Sequence, residues 1–472
     1  MDSVSRFEEL RTQYDTFLYK GFETVLEEDS LLVTYLFEIP GLRSFKSKWR
    51  FPKTERMEGL LDSPLLHTML FDLGMVETIS YWKTVCPPTL KVCCGQLSTE
   101  QIKWWKKLFY HGLGEFMYLN GIEISMEDLV DICCEAQDAC QEVEGLKAGE
   151  HAVKTLKAGG LCGLKKPWHD DRTYTGYLVP VGGGKDSVVS LEVLKGQRIT
   201  TYSINGNATT QNVIAVCEHK DGDYAVKRIL DAQILELNKE GYLNGHIPFS
   251  AVVAFSAVIS AYLTGTKYIA LSNESSANES TVKGSTVNHQ YSKSLEFEKD
   301  FMWYFRQRTT SDITYFSLLR PLSEFQIAWL FAKCKEYHQV FRSCNAGSKQ
   351  GIWCCNCPKC LFVYIILSPF LTEEELKDIF GEKLFDKESL DLNFRELAGI
   401  EDNKPFECVG TRKEVQVSLK TFVERGGKSL LTDRYQSFIQ GVTGSLEELL
   451  TEWVSDHGVP SDALALLKEQ MK

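Results

Sequence analysis

The chain has 472 residues, enough for about three domains at the usual ~150 residues each. Apolar residues make up 43% and charged residues 25%, a balance that excludes disordered, collagenous and low-complexity classes. A formal net charge of −12 offers no basic face for counterion release, so nucleic acid is not an expected partner.

Met1 to Leu10 carries Asp2, Arg6, Glu8 and Glu9 where a secretory leader would have a basic stretch running into an apolar one. The 15 cysteines are odd in number and too sparse in a long chain for a disulfide framework. A reducing compartment and a cytoplasmic location are therefore expected. Leu31 to Phe51 alternates around the turn-forming Pro40 and Gly41 and predicts two strands. Leu65 to Trp82 is apolar at helical spacing. Ser98 with Gln101 forms a capping-box start for a helix whose Ile102, Trp105, Leu108 and Phe109 share a face. These elements predict an α+β N-terminal domain over 1–172. Its linker is marked by Gly159, Gly160, Gly163 and Pro167.

Over 173–370 strand-like and helix-like runs alternate, which predicts an α/β core with a parallel sheet. The strands are Tyr177–Val181, Ile199–Ile204, Tyr268–Ser272 and Tyr315–Leu319, and the helices include Ser187–Leu194 and Phe249–Leu263. Ile247 to Thr266 is free of charge and reaches the length of a membrane span. Pro248 suits a first helical turn, and Ser250, Ser256, Ser260 and Thr264 keep the run only moderately apolar, so a buried helix and no membrane insertion are expected. Residues 371–472 read as a helical C-terminal extension with capping boxes at Thr372/Glu375 and Ser445/Glu448.

The strongest short motif is Gly182-Gly183-Gly184-Lys185-Asp186-Ser187, which follows the strand YLVPV and opens a helix. Glycines let backbone N–H groups turn toward an anion, and the helix N-terminus adds its dipole, so this is a phosphate cradle. It fits neither the Walker spacing nor the dinucleotide fingerprint. It resembles the S/G-G-G-x-D-S loop of PP-loop ATP pyrophosphatases, which cleave ATP between its α and β phosphates.

Cys344 with Cys354, Cys357 and Cys360 forms a second motif, four thiols at a spacing suited to one tetrahedral ion. Structural zinc is the economical expectation. An Fe–S cluster also accepts four thiolates, and Cys355 stands beside Cys354 as a replacement. The remaining cysteines read as buried thiols. A polar loop runs from Ser272 to Glu279 off the end of the strand KYIAL and continues to Asn288, His289 and Lys293. Ligands of open α/β sheets bind at such strand ends. Arg320 follows another strand, where it either neutralises an anionic ligand or forms a surface ion pair. Lys404 to Thr411 reads as a turn that could fold back over the site.

The loop together with the cysteine cluster resembles the zinc-containing 7-cyano-7-deazaguanine synthases over the middle third of the chain. Across Leu31 to Thr411, the strings VPVGGGKDS, YLNGHIPFSAV, ALSNESSANES, VNHQYSKSLEFE, LLRPLSE, CPKCLFV and KPFECVGT resemble a narrower family. These are the ATP-dependent UDP-N-acetyl-muramoyl-L-alanyl-L-glutamate epimerases of bacterial peptidoglycan synthesis.

That resemblance implies a PP-loop, adenine nucleotide alpha-hydrolase-like fold, and ATP and Mg2+ as reactants beside a UDP-MurNAc-dipeptide substrate. It implies that the terminal L-Glu is activated as an acyl adenylate, inverted at its α-carbon and released with AMP and pyrophosphate. By position, Gly182, Gly183, Gly184 and Ser187 would bind phosphates and Lys185 would add charge. Asp186 with Glu274 or Glu279 would hold Mg2+. His289 and Lys293 would move protons, with Cys408 as a further candidate. Two other readings stay open: an amide- or nitrile-forming ligase of the deazaguanine or tRNA-modifying adenylating type, and a non-enzymatic zinc and nucleotide-binding protein. The sequence carries no sign of oligomeric state.

Overall fold

The computed structural model describes residues 3–135, 167–275, 291–344, 346–402, 405 and 409–472. Ten strands run among them. In chain order they are β1 Thr16–Leu26, β2 Ser30–Ile39, β3 Arg43–Pro52, β4 Thr89–Val92, β5 Asp131–Cys134, β6 Tyr177–Pro180, β7 Ile199–Ile204, β8 Gly222–Ile229, β9 Tyr268–Leu271 and β10 Thr314–Ser317. The chain gathers into two compact units that interleave along the sequence. The first holds Met1–Thr175, Tyr224–Ile269 and Val282–Tyr315; the second holds Gly176–Asp223, Ala270–Thr281 and Phe316–Lys472.

In the first unit the strands lie in the order β8-β3-β2-β1-β4-β5. The pairs from β8 to β1 are antiparallel, and β4 and β5 add in parallel beyond β1. The strands predicted on either side of Pro40-Gly41 are β2 and β3. Along β3, Phe45, Ser47, Trp49 and Phe51 are buried while Lys46 and Lys48 are exposed, the alternation expected of a sheet with one wet face. The helix Pro64–Trp82, buried along almost all its length, packs against β1 and against the helix Phe249–Thr264. Gly74 faces the Tyr19 and Tyr35 rings so closely that a Cβ would overlap them.

The helix Phe249–Thr264 settles the uncharged run as buried core. Ser256, Ser260 and Thr264 each return their hydroxyl at 2.8 Å to the carbonyl four residues earlier, so no buried hydroxyl is stranded. Among the described residues no helix is long and apolar enough to cross a membrane.

The second unit is α/β. Its strand order is β10-β9-β6-β7, with β6 and β7 parallel in the register Tyr177↔Ile199. Leu318 N–H, just beyond the end of β10, donates at 2.8 Å to the O of Leu271, the last residue of β9. Chain order moves outward from β6 to β7 and then returns on the other side of β6 with β9 and β10. The sheet therefore changes winding direction between β6 and β9. The crevice at the carboxyl ends of two such strands is where open α/β sheets bind ligands.

The C-terminal residues are built into this unit. The helix Arg412–Glu424 packs on the buried helix Pro358–Leu367, and Leu431, Leu449 and Leu467 are buried. The capping boxes read at Thr372 and Ser445 are both formed.

Candidate nucleotide site and metal centre

The glycine loop joins the end of β6 to the helix Lys185–Val193, at the winding reversal. Gly183 has φ +93°, and a Cβ there would stand 2.7 Å from Thr209 Cγ2, so the position requires glycine. A Cβ at Gly182 would meet nothing within 4 Å, which leaves open space in front of that residue. Three loop carbonyls are tied off behind it. Gly183 O accepts Arg342 N–H at 2.9 Å, Gly182 O accepts Thr210 Oγ1–H at 3.2 Å, and Gly184 O accepts Ser187 Oγ–H at 2.9 Å. What the loop has left to offer a ligand is its N–H groups. The helix start at Gly184 has no side-chain cap, so its dipole faces the same space.

A cluster of charge surrounds the loop. Lys185 is buried, and its ammonium donates both to Asp186 Oδ1 and to Glu324 Oε2. Burial alone would lower the lysine, yet Asp186 and Glu324 hold it well above the ordinary range. Burial lifts the Glu324 carboxyl to about 7. Lys185 opposes the rise, while Asp186 and Glu274 add to it. Glu414 is buried and raised as well, partly by Glu274. Four carboxylates thus share this space with Lys185, already spoken for, and with the charge of Lys359, which also opposes the rise of Glu324; the remaining excess of negative charge suits a cation. The Glu274 backbone is fixed by Arg320, a fully buried side chain whose Nη1 donates to Glu274 O at 2.6 Å. Arg320 serves the loop that carries Glu274.

The four cysteines meet. Their ligand atoms all lie within 4.8 Å of one another, with Cys357 Sγ and Cys354 Sγ at 3.5 and 3.7 Å from Cys360 Sγ. A tetrahedral ion with Zn–S near ~2.3 Å needs sulfurs about 3.8 Å apart. The set fits one ion. An Fe–S cluster interposes several atoms between its cysteines and calls for wider spacing. The Cys360 thiol holds Cys357 down at about 5, so a thiolate is favoured before any metal arrives. Cys355 is no substitute ligand. Its backbone is left-handed at φ +52° and its Sγ turns away to Phe380 O at 3.2 Å. The cluster is linked to the glycine loop through a short stretch of chain, since Arg342, whose N–H is bonded to Gly183 O, is two residues from Cys344.

Of the other residues singled out in the sequence, Glu279, His289 and Cys408 lie outside the described residues. Lys293 closes the short turn Tyr291–Lys293 and belongs to the first unit. Of the stretch 404–411, Gly410 lies against this charge cluster. A Cβ on Gly410 would come within 3.1 Å of Glu324 Cβ. Sequence reading missed Glu324 and Glu414. Ser323-x-x-Gln326 and Thr411-x-x-Glu414 are capping boxes that mark both helix starts, but nothing local in the sequence reveals what those helix starts face.

The family model described as the MurL N-terminal domain matches residues 8–318, well over half of the chain, and that of the MurL C-terminal domain matches residues 340–436. The chain belongs to the MurL family. It is 33% identical over 365 residues to a UDP-N-acetyl-alpha-D-muramoyl-L-alanyl-L-glutamate epimerase of Xanthomonas oryzae pv. oryzae, spanning 75% of this chain and 74% of the relative. To the epimerase of that description from Micromonospora sp. it is 31% identical over 429 residues, 89% of each chain. To that of Salinispora tropica it is 32% identical over 365 residues, 75% of this chain and 73% of the relative. No solved structure matches the chain. The two MurL models leave 1–7, 319–339 and 437–472 unmatched, so Arg320, Glu324 and the last helices stand outside both.

Proposed function

We propose that this MurL family member epimerises the terminal L-Glu of UDP-MurNAc-L-Ala-L-Glu to D-Glu in an ATP- and Mg2+-dependent reaction of peptidoglycan precursor synthesis. The single observation that carries the ATP-dependent reading is the uncapped glycine loop at the winding reversal, with open space before Gly182 and acidic groups beside it. The substrate comes from what the relatives are named for.

The chemistry needs activation. A glutamyl α-proton is very weakly acidic, and a neighbouring carboxylate opposes further negative charge. When a carboxylate oxygen attacks the α-phosphorus of ATP, a P–O bond forms, the bond to pyrophosphate breaks, and the resulting acyl adenylate has no charge at the carbonyl. A general base then takes the α-proton, and the electron pair left behind is delocalised into that carbonyl. Protonation from the opposite face inverts the carbon, and water attacking the acyl carbon releases AMP and the D-Glu product.

In this reading Gly182, Gly183 and Gly184 receive the phosphates through backbone N–H groups, with the start of the helix Lys185–Val193 behind them. Ser187 holds the turn, and Lys185 contributes charge through its carboxylate neighbours. Asp186 with Glu274 or Glu279 would hold Mg2+, which would supply positive charge to the leaving pyrophosphate. The cysteine centre is assigned structural zinc. His289 and Lys293 are assigned the two proton transfers, with Cys408 as a third candidate.

Incubation with UDP-MurNAc-L-Ala-L-Glu, ATP and Mg2+ in heavy water tests the proposal. Deuterium at the glutamyl α-carbon together with AMP is expected. Ammonia-dependent AMP release without deuterium would favour the ligase reading instead, and absence of both products would rule out the epimerase.

A further inference from the structure

Three helix starts converge on Glu324. It is the first residue of the helix Glu324–Ala332, and its carboxylate accepts from Lys185, the first residue of the helix Lys185–Val193. Glu414, in the first turn of the helix Arg412–Glu424, accepts Phe325 N–H at 3.0 Å and Thr411 N–H at 2.6 Å, and so ties that helix start to the one bearing Glu324. Gly410 fills the remaining space, since a Cβ there would lie 2.6 Å from Glu414 Oε2.

Leu450, Glu452 and Val454 fasten the same place. Gln326 accepts Ser323 N–H at 2.9 Å and donates its Nε2 to Leu450 O at 3.0 Å and Glu452 O at 2.7 Å. Pro321 O accepts Val454 N–H at 3.0 Å. Glu324 is thus held from several sequence-remote segments, far more firmly than an ion-pair partner at a surface.

Lys185 is correspondingly fixed. Its side chain is 1% exposed and donates to two carboxylates, whereas Asp186 remains 32% exposed. A lysine whose role was to reach out to phosphate would not be enclosed in this way. We infer that Glu324 is a positioning residue of the nucleotide loop: through the Lys185 ammonium it fixes the orientation in which Asp186 is presented to the ligand. This rests on the reading of the loop as a Mg2+–ATP site.

Calorimetry with an unreactive ATP analogue, titrated at increasing Mg2+ on the full zinc-loaded chain, tests the assignment. In Glu324→Gln the Mg2+ needed for half-maximal analogue binding should rise about tenfold, as expected when the charged acceptor of the Lys185 ammonium is replaced by a neutral amide oxygen. The double variant Lys185→Met with Glu324→Gln removes both charges at similar volume. It should keep a melting temperature near that of the parent while showing the same rise.

Folded variants with parental Mg2+ dependence would overturn the assignment. So would a double variant that fails to fold, which would mark the pair as structural. A parent that does not bind the analogue at all would instead bring down the reading of the loop itself.

Discussion

Gly183 lies against Thr209 with no room for a side chain: a Cβ would stand 2.7 Å from the threonine methyl, at a backbone φ of +93°. Its neighbour Gly182 is the reverse case, with nothing within 4 Å of the point where a Cβ would stand and a backbone that any residue can adopt. The two glycines therefore fail differently when replaced.

Gly183→Ala should lower unfolding free energy by about 1–3 kcal/mol, the usual cost of a side chain forced into this backbone region. Gly182→Ala should melt with the parent yet lose affinity for an ATP analogue, because its methyl occupies the cradle. Denaturant unfolding beside calorimetry separates the two, and equal behaviour of both variants would contradict the cradle.

The cysteine centre should contain a single zinc, measurable by elemental analysis of the purified chain. Free metal about a thousandfold above Kd adds about 4 kcal/mol of stability, so chelation should lower the melting temperature by a matching amount. Because Arg342 N–H is bonded to Gly183 O at 2.9 Å, chelation should also weaken binding of the ATP analogue. Cys360→Ser should do both, whereas Cys355→Ser, whose thiol faces Phe380 O, should leave zinc content unchanged.

Lys83 gives the chain a pH signature. Its ammonium is buried in the first unit, donating to Asn244 Oδ1 at 2.8 Å and Gly245 O at 2.6 Å, and burial lowers it to about 8. Between pH 8 and 10.5 the unfolded chain carries a proton that the folded chain has lost, so stability associated with Lys83 rises with pH. The gain approaches about 3 kcal/mol across that window. Parent stability measured against Lys83→Met by denaturant unfolding should therefore increase from neutral pH to pH 10.5. A constant difference would contradict the burial.

The parts of the site that the sequence displayed are those encoded locally. The change from strand period to helix period across Gly182–Gly184 is contained in one short stretch, and thiol spacing alone brought Cys344, Cys354, Cys357 and Cys360 together. What stayed hidden depends on distant partners. Lys185 stands within the motif, but nothing local shows that Glu324, remote in sequence, lies against it.

Strand β1 is obscured by Lys20, Gly21 and Glu23, and its pairing with β2 shifts register between Tyr19 and Gly21. Strands β4 and β5 are four residues each and take their place only by parallel pairing with one another and with β1. Strand β8 did carry a signal, since Tyr224 and Val226 alternate with exposed neighbours. The interleaving of the two units has no local signature, because the chain passes from one to the other within β9 and again within β10.

The proposed acyl adenylate is tested most directly by the fate of oxygen. With heavy oxygen placed in the α-carboxylate of the terminal glutamate, attack on ATP makes one labelled atom the bridge to phosphorus, and hydrolysis at the acyl carbon leaves it in AMP. Mass spectrometry should find AMP carrying a single heavy oxygen, in step with epimerised product. Unlabelled AMP during full turnover, or cleavage of ATP to ADP, would contradict the mechanism.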